Sequence, residues 1–210
     1  MNILSVKEKN AIAASADILL SGGLIVVPTD TVYGIIGDAT NERAILNLFL
    51  LKKRSKKKPF PIFVKDIAMA RQYASISDVK ARSLKTLWPG RMTALFYHKE
   101  KLPSSLTAGG DFLGIRIPDS LFLRELLLRI NVPLVQTSAN LSGSAPAQCL
   151  EDIKRYFQHS KTAPDCVIDG GILPTTASAV VDFTRDMPLI VRTGLMPKQE
   201  LNGMLRQLYK

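Results

Sequence analysis

Six cations in seven consecutive positions form the most densely charged stretch of the chain, the sequence KKRSKKK at 52–58. The whole chain has a formal net charge of +10, so most of its basicity lies here. Such a density predicts either a polyanion-binding site or a solvated loop, and the stretch alone fits both. As a site, Arg54 would offer a planar fork to phosphate oxygens, with Lys52 and Lys58 as point charges.

Small polar side chains follow two apolar stretches that are typical of buried strands. One segment reads PTDTVYG at 28–34 and the other TSANLSG at 137–143. In an extended chain Ser138 and Asn140, two positions apart, face the same side and can bind one ligand. Each segment is also typical of a turn whose polar groups bond their own backbone. The two segments are therefore either walls of a pocket for a small polar substrate or ordinary turns.

Two arginines stand inside apolar, strand-like segments, Arg116 in GIRIP and Arg192 in LIVRTG. A buried and unpaired guanidinium is costly, so each arginine predicts a nearby carboxylate. That carboxylate comes either from the protein or from a ligand, and the sequence does not choose between them.

The residues for several common kinds of catalysis are missing. The chain has neither GxxxxGK[ST] nor GxGxxG, and it has no GxSxG elbow. His98 and His159 are isolated, and Cys149 and Cys166 form no CxxC pair, which argues against a His-based triad, a zinc site and a disulfide framework. Any catalysis must rest on cations, hydroxyls and backbone groups, with no metal ligands from the protein.

The composition suits one folded domain. The chain has 210 residues, of which 46% are hydrophobic and 22% charged. Because no linker-like segment divides it, we expect a single domain over 1–210. Residues 1–10 contain no apolar signal region, and no apolar stretch is long enough to span a membrane. We therefore expect a cytoplasmic protein.

Helix and strand signals alternate along the chain. Helices are predicted at 7–20, 41–51, 66–73, 77–87, 120–130 with Asp119 as its N-cap, 150–157 and from about 198. Strands are predicted at 24–27, 60–64, 92–98, 114–118, 133–137, near 167, 179–183 and 189–192. This pattern predicts an α/β fold whose twisted, mostly buried mixed sheet is flanked by helices, with an open basic cleft at the strand ends. The strand order does not follow from the pattern.

Seven segments, in order, resemble the YrdC/TsaC family of threonylcarbamoyl-adenylate synthases. They are PTDTVYG at 28–34, KxRxxxKP at 52–59, WPGxxT at 88–93, RIP at 116–118, SANLSG at 138–143, SAVVD at 178–182 and VRTG at 191–194. Any one of them could arise by chance, but seven in register are highly specific. The resemblance is to the short, single-domain form of the family.

The resemblance implies a reaction in which L-threonine, bicarbonate and ATP give threonylcarbamoyl-AMP and pyrophosphate, the first step toward N6-threonylcarbamoyladenosine in tRNA. It implies that Arg116 binds the carboxylate of threonine and that the following residues surround this substrate: Thr31, Arg116, Ser138 and Ser178. It implies a second set around ATP: Lys52, Arg54, Lys58, Ser138, Asn140 and Arg192. Lys52 and Arg54 would then stabilise the transition state, because such a transfer needs alignment and positive charge more than a covalent nucleophile.

The resemblance also implies partners. Mg²⁺ would be carried on ATP, with no permanently bound cofactor, and a downstream transferase complex of the TsaB/TsaD/TsaE kind would receive the product. The remaining lysines of the basic stretch, Lys53, Lys56 and Lys57, would face solvent or RNA. We expect no membrane partner. The main alternative is a non-catalytic RNA-binding or ribosome-maturation protein that binds tRNA or double-stranded RNA, and carbamoyl transfer to another acceptor is a second.

Four positions depart from the family pattern. Phe63 stands where many relatives have His, Arg91 where Pro often follows WPG, Gln148 where a hydroxyl is frequent and Ala179 where Thr is common. None of these changes removes a charged position or the SxN pair. They leave the predicted reaction class unchanged and bear on the detailed contacts with threonine and nucleotide.

Overall fold

The computed structural model describes residues 1–158, 162–173 and 176–207. His159, one of the two isolated histidines, lies outside the described residues. The helices are α1 Ala11–Leu20, α2 Glu42–Lys52, α3 Ile67–Tyr73, α4 Asp78–Leu84, α5 Ser104–Thr107, α6 Leu121–Ile130, α7 Leu150–Phe157 and α8 Lys198–Gln207. The strands are β1 Asn2–Ser5, β2 Ile25–Val27, β3 Gly34–Asp38, β4 Ile62–Phe63, β5 Met92–Tyr97, β6 Phe112–Arg116, β7 Leu134–Ser138, β8 Cys166–Asp169, β9 Ala179–Asp182 and β10 Leu189–Arg192.

In the described part of the chain, the strands form one ten-stranded mixed sheet with the order β1-β8-β2-β3-β7-β4-β6-β5-β9-β10. β4 pairs with β6 in parallel and with β7 antiparallel, while β5 pairs antiparallel with β6 and in parallel with β9. The α/β fold with a mixed sheet flanked by helices is therefore confirmed. No described helix is long and apolar enough to cross a membrane.

Alternate side chains along the strands enter two separate cores. Val26 and Ile35 belong to the larger core, whereas Ile25 and Ile36 belong to a smaller one built largely with α1 and α6. This division follows from the two-residue period of a strand, which sends successive side chains to opposite faces of the sheet. The sheet is thus covered by packed side chains on both faces over its β2–β3 part.

Several helix ends follow directly from local capping groups. Asn41 caps α2, its Oδ1 accepting from the backbone N–H of Arg43 and Ala44, and Asp66 and Ser77 cap α3 and α4 in the same way. The prediction of Asp119 as the cap of α6 is wrong. Ser120 takes that place, and its Oγ accepts from the N–H of Leu123.

The structure also contains elements that the sequence pattern did not predict. β1, β3 and α5 have no counterpart among the predicted elements, and α1 begins at Ala11 instead of residue 7. β3 has the sequence GIIGD, in which two glycines weaken the strand signal. Its pairing with β2 and β7 supplies the stability that the local sequence lacks.

Candidate active site

A cavity of about 200 Å³ lies against one face of the β6-β5-β9 part of the sheet. Its wall consists of Thr31, Val32, Arg54, Phe60, Pro61, Thr93, Arg116, Gln136, Thr137, Ser138, Ala177, Ser178, Val180 and Arg192. Thr93, Arg116 and Val180 come from strand positions that alternate with buried core residues on the opposite face. The segments before β3, before β9 and between α2 and β4 close the other sides. One face of the sheet therefore supplies part of the wall, and the open basic cleft expected at the strand ends stays a prediction.

Three arginines give the cavity its electrostatic character. Arg54, Arg116 and Arg192 all line it, and no carboxylate is among the described residues of the wall. Burial lowers the pKa of each arginine from its ordinary value, yet a guanidinium stays charged at neutral pH. A concave site with three cations concentrates anions, so the arrangement suits a ligand with several negative charges.

Arg54 is held beside the cavity by the chain that follows it. Its Nε donates to the carbonyl of Lys58 at 3.3 Å and its Nη2 donates to the carbonyl of Pro59 at 3.0 Å. The guanidinium carbon lies 4.9 Å from the centre of the Phe60 ring, within the range of a cation–π contact. Nη1 of Arg54 takes no part in these two hydrogen bonds, and it is the nitrogen that could approach a phosphate.

Lys52 occupies a different place from the one expected for a basic loop, since it is the last residue of α2. The side chain is 1% exposed, and Nζ donates to the carbonyl of Ser138 and to Oδ1 of Asn140, both at 2.6 Å. Burial lowers the pKa of Lys52 to about 7, and the nearby charge of Arg54 adds to that effect. Lys52 therefore links the end of α2 to the SxN segment.

Ser138 and Asn140 bond each other instead of pointing jointly at open space. The Oγ of Ser138 donates to Oδ1 of Asn140 at 2.6 Å, and Nδ2 of Asn140 donates to the carbonyls of Leu141 and Ser144. Asn140 is 6% exposed, whereas Ser138 reaches the cavity wall. The interpretation as a turn and the interpretation as a pocket wall therefore both hold for this segment.

Arg116 finds its carboxylate in the protein. Its Nη2 lies 2.6 Å from Oδ1 of Asp30, its Nε donates to the carbonyl of Gly90 at 2.9 Å and its Nη1 donates to Oγ1 of Thr31 at 3.2 Å. The guanidinium also lies over the ring of Phe63, 5.7 Å from its centre. The question that the sequence left open for Arg116 is thus answered by Asp30.

Buried hydroxyl groups stand next to the arginines. Thr31 is 2% exposed, and its Oγ1 lies 3.0 Å from Oγ1 of Thr29, which also donates to the carbonyl of Val32. Ser178 and Thr93 form a second pair, with their hydroxyl oxygens 3.1 Å apart. Hydroxyls can donate or accept, so these groups can bond the carboxylate, the amine or the hydroxyl of a small amino acid.

Arg192 and Lys58 differ in their relation to the cavity. Arg192 is exposed as a whole, but its Nε donates to the carbonyl of Ser178 at 3.1 Å and its side chain joins the wall. The side chain of Lys58 is exposed, as are those of Lys53, Lys56 and Lys57, and none of the four lines the cavity. Lys58 contributes its backbone carbonyl, which orients Arg54.

The four departures from the family pattern have distinct surroundings. Phe63 is buried below Arg116, and Ala179 is buried in the larger core. Arg91 is exposed, with its carbonyl accepting from the N–H of Ala179. Gln148 is exposed and outside the cavity wall. Phe63 therefore contacts a predicted site residue, Arg116, with its ring.

Sequence reasoning missed several residues of the site. The pattern PTDTVYG contains Asp30 but does not indicate its role, and WPGxxT contains Thr93 without placing it in the site. Phe60 and Gln136 lie in segments that the sequence predicts only as strands. The signal for Asp30 was the unpaired Arg116, since a buried cation requires a counter-ion. No signal in the sequence pointed to Gln136, because its contribution depends on the pairing of β7 with its neighbours.

No group of three or more His, Cys, Asp or Glu side chains that could hold a metal ion occurs among the described residues. The polar side chains of the wall are three guanidinium groups, several hydroxyls and the amide of Gln136, and no carboxylate is among its described residues. A metal ion at this site would therefore depend on oxygens supplied by the ligand.

Comparison with known proteins gives concordant results. The chain is 32% identical to a putative threonylcarbamoyl-AMP synthase of Methanocaldococcus jannaschii over 87% of this chain and 85% of the relative. The crystal structure of Pyrococcus abyssi Sua5 complexed with L-threonine superposes with a TM-score of 0.89 at 27% identity, covering 97% of this chain and 61% of that one. The crystal structure of Escherichia coli YciO gives a TM-score of 0.81 at 25% identity, covering 93% and 95% of the two chains.

The relatives differ in length. The chain spans most of the Methanocaldococcus protein and of YciO but less than two thirds of the Pyrococcus protein. A family model named Sua5/YciO/YrdC and described as "Telomere recombination" matches residues 17–194, which include every residue of the cavity wall. The chain therefore belongs to the Sua5/YciO/YrdC family.

Proposed function

We propose that this protein is a threonylcarbamoyl-AMP synthase, which joins L-threonine, bicarbonate and ATP to give threonylcarbamoyl-AMP and pyrophosphate. The observation that carries the proposal is the convergence of three arginines and the buried hydroxyls of Thr31, Thr93 and Ser178 on one cavity in a chain of this family. Relatives that bear the synthase name support it, as does the relative that was crystallised with L-threonine.

Threonine is proposed to bind at the Arg116 end of the cavity. Arg116 would receive the substrate carboxylate, because its guanidinium is fixed in place and lies among hydroxyl groups. Thr31, Ser138 and Ser178 form part of the cavity wall, and their hydroxyls would bond the remaining polar groups of the amino acid. A pre-positioned set of donors reduces the ordering cost of binding a small and flexible ligand.

ATP is proposed to bind with its phosphates between Arg54 and Arg192, the two arginines that stand on loop and edge-strand positions of the wall. Lys52 and Asn140 would contribute after exchanging their mutual hydrogen bond for contacts with the nucleotide, since each is buried and bonded within the protein here. Lys58 would add its charge from the exposed side, and Ser138 would lie between the two substrates.

The proposed reaction proceeds in two balanced steps. The free amine of threonine attacks the carbon of bicarbonate, and loss of water leaves a carbamate. A carbamate oxygen then forms a bond to the α-phosphorus of ATP while the bond to the pyrophosphate oxygen breaks. Because negative charge collects on the departing pyrophosphate, the guanidinium of Arg54 and the protonated amine of Lys52 would stabilise the transition state. Lys52 would take up its proton as the negatively charged phosphates approach, since a nearby negative charge favours the charged form of a lysine.

Mg²⁺ is proposed to arrive with ATP, held by phosphate oxygens, since the wall offers no carboxylate ligands among the described residues. When bound, the ion would neutralise phosphate charge. No permanently bound cofactor is proposed. A cytoplasmic location and delivery of the product to a downstream threonylcarbamoyl transferase complex belong to the same proposal, as does weak RNA binding by the exposed lysines.

The test is pyrophosphate release from ATP, with threonine and bicarbonate omitted in turn. We expect dependence on both substrates, and Arg54→Ala should lower kcat/KM by about 100-fold, the usual effect of removing one transition-state donor. Arg43→Ala is the matched control, because Arg43 is exposed on α2 and does not line the cavity.

Turnover that needs neither threonine nor bicarbonate would contradict the reaction, and a fully active Arg54→Ala would contradict the role of this residue. RNA binding that weakens steeply with salt, together with no ATP turnover, would instead favour the non-catalytic alternative.

A further inference from the structure

Asp30 has no assigned part in the binding of any substrate, yet it forms the ion pair that holds Arg116. The Nη2 of Arg116 and Oδ1 of Asp30 are 2.6 Å apart, and the two side chains are only 3% and 6% exposed. Neither carboxylate oxygen accepts a directed hydrogen bond among the described residues, because the N–H groups of Arg116 do not point along the short contact. The contact is therefore an ion pair held mainly by Coulomb attraction, which depends on the distance between the charges and not on the direction of an N–H bond.

A buried charge is expensive unless it is paired, and the ion pair offsets this cost for both side chains. The remaining contacts of Arg116, to the carbonyl of Gly90 and the hydroxyl of Thr31, already fix the direction of the guanidinium. What Asp30 adds is negative charge. It raises the pKa of Arg116, whereas Arg91 and Arg192 lower it through like-charge repulsion.

The position of this charge matters because the rest of the wall is positive. Arg54 and Arg192 line the same cavity, and of the ion pairs formed by the described residues only the one between Asp30 and Arg116 involves the wall. Asp30 therefore makes the Arg116 end of the cavity nearly neutral, while the Arg54 and Arg192 end keeps its full positive charge.

We propose that Asp30 is a specificity-determining residue that makes the Arg116 end of the cavity select a zwitterionic amino acid over a simple carboxylate anion. A zwitterion brings a carboxylate and an ammonium group into the site with no net charge, which matches a neutralised ion pair. A simple anion brings one uncompensated negative charge, which only an unpaired Arg116 would favour. The proposal rests on the proposed function, since it assumes that threonine is the ligand at Arg116.

The test compares two ligands that differ only in the amino group, L-threonine and 3-hydroxybutyrate, which is threonine without its amine. Their dissociation constants are measured by calorimetry, without ATP, for the wild-type protein and for Asp30→Asn. Removal of the charge should shift the ratio of the two constants toward 3-hydroxybutyrate by about tenfold or more, as expected for one unit charge acting over several ångströms inside a protein.

Asp182→Asn is the matched control. Asp182 lies on β9, outside the cavity wall, and its replacement by asparagine removes the same single negative charge. The asparagine side chain can still accept a hydrogen bond from the N–H of Thr184. This variant should leave the ratio of dissociation constants unchanged. Circular dichroism and thermal melting check that both variants fold as the wild type does.

Each result decides the proposal. A shift of the ratio toward the anion in Asp30→Asn alone supports it. An unchanged ratio of dissociation constants overturns it, whether both ligands weaken equally or neither changes. Failure of 3-hydroxybutyrate to bind to either protein overturns it as well. These outcomes leave the proposed function intact as long as wild-type protein binds threonine. Failure of the wild type to bind threonine would overturn the proposed function as well.

Discussion

The buried position of Lys52 predicts an unusual dependence of stability on pH. Its pKa falls to about 7 in the folded protein because of burial, whereas an unfolded lysine titrates near 10.5. Between these two pH values the unfolded chain binds a proton that the folded chain has already released. The free energy of unfolding must therefore rise with pH across this window, and Lys52→Met should remove that part of the rise.

The size of the effect follows from the two pKa values. Each pH unit contributes at most about 1.4 kcal/mol where the folded form is neutral and the unfolded form is charged. Because the folded group is still half protonated near pH 7, the gain from pH 7 to pH 9 amounts to about 2 kcal/mol for a native pKa of about 7.

The measurement is urea unfolding at pH 7, 8 and 9, followed by circular dichroism, for the wild type, Lys52→Met and Lys56→Met. Lys56 is exposed in the same basic stretch, so its variant should keep the wild-type slope. Burial raises the pKa of the Cys166 thiol above its ordinary value. It is present in all three proteins, so its contribution cancels when their slopes are compared.

The reasoning fails if Lys52→Met shows the same gain in stability between pH 7 and pH 9 as the wild type. Such a result would mean that Lys52 keeps its charge in the folded protein, with its two hydrogen bonds to Ser138 and Asn140 outweighing the cost of burial. A parallel loss of stability at every pH would show that the side chain contributes packing and hydrogen bonds only.

Two further predictions concern the wall and the basic stretch. Gly194→Ala should lower stability by at least about 1 kcal/mol and reduce activity, because Gly194 has φ +61° and an added Cβ would lie 2.4 Å from the backbone of Ser178. The measurement is the melting temperature of Gly194→Ala compared with that of the control Gly203→Ala, which changes a helical glycine with open space around it. Equal melting temperatures of the two variants would contradict the prediction. Replacing the three exposed lysines without a predicted role toward ATP, namely Lys53, Lys56 and Lys57, by serine should leave kcat/KM within about threefold while weakening any RNA binding. A loss of turnover like that of Arg54→Ala would refute the division of the basic stretch into ATP-binding and solvent-facing residues.

Much of the secondary structure could be predicted because its signals are local. Helices α7 and α8 begin at the predicted residues, and the capping groups Asn41 and Ser77 mark the starts of two others. β3 could not be predicted in the same way, because a strand of sequence GIIGD is stabilised by its two neighbours in the sheet and not by its own residue preferences.

The sequence named candidate site residues but not their arrangement. Six of these residues line one cavity in the structure: Thr31, Arg54, Arg116, Ser138, Ser178 and Arg192. Their roles toward ATP and threonine remain predictions. Lys52 and Asn140 were also predicted site residues, but they are buried and bonded to each other across 88 positions of sequence.

The sequence by itself determined which side chains are available to the candidate site, chiefly arginines and hydroxyls, and it determined the alternation that leads to an α/β fold. Only the tertiary structure decided the strand order, the pairing of Asp30 with Arg116 and the shift of the Lys52 pKa. The physical reason is that residue types and short spacings are local properties, whereas burial and charge pairing depend on which distant segments pack together.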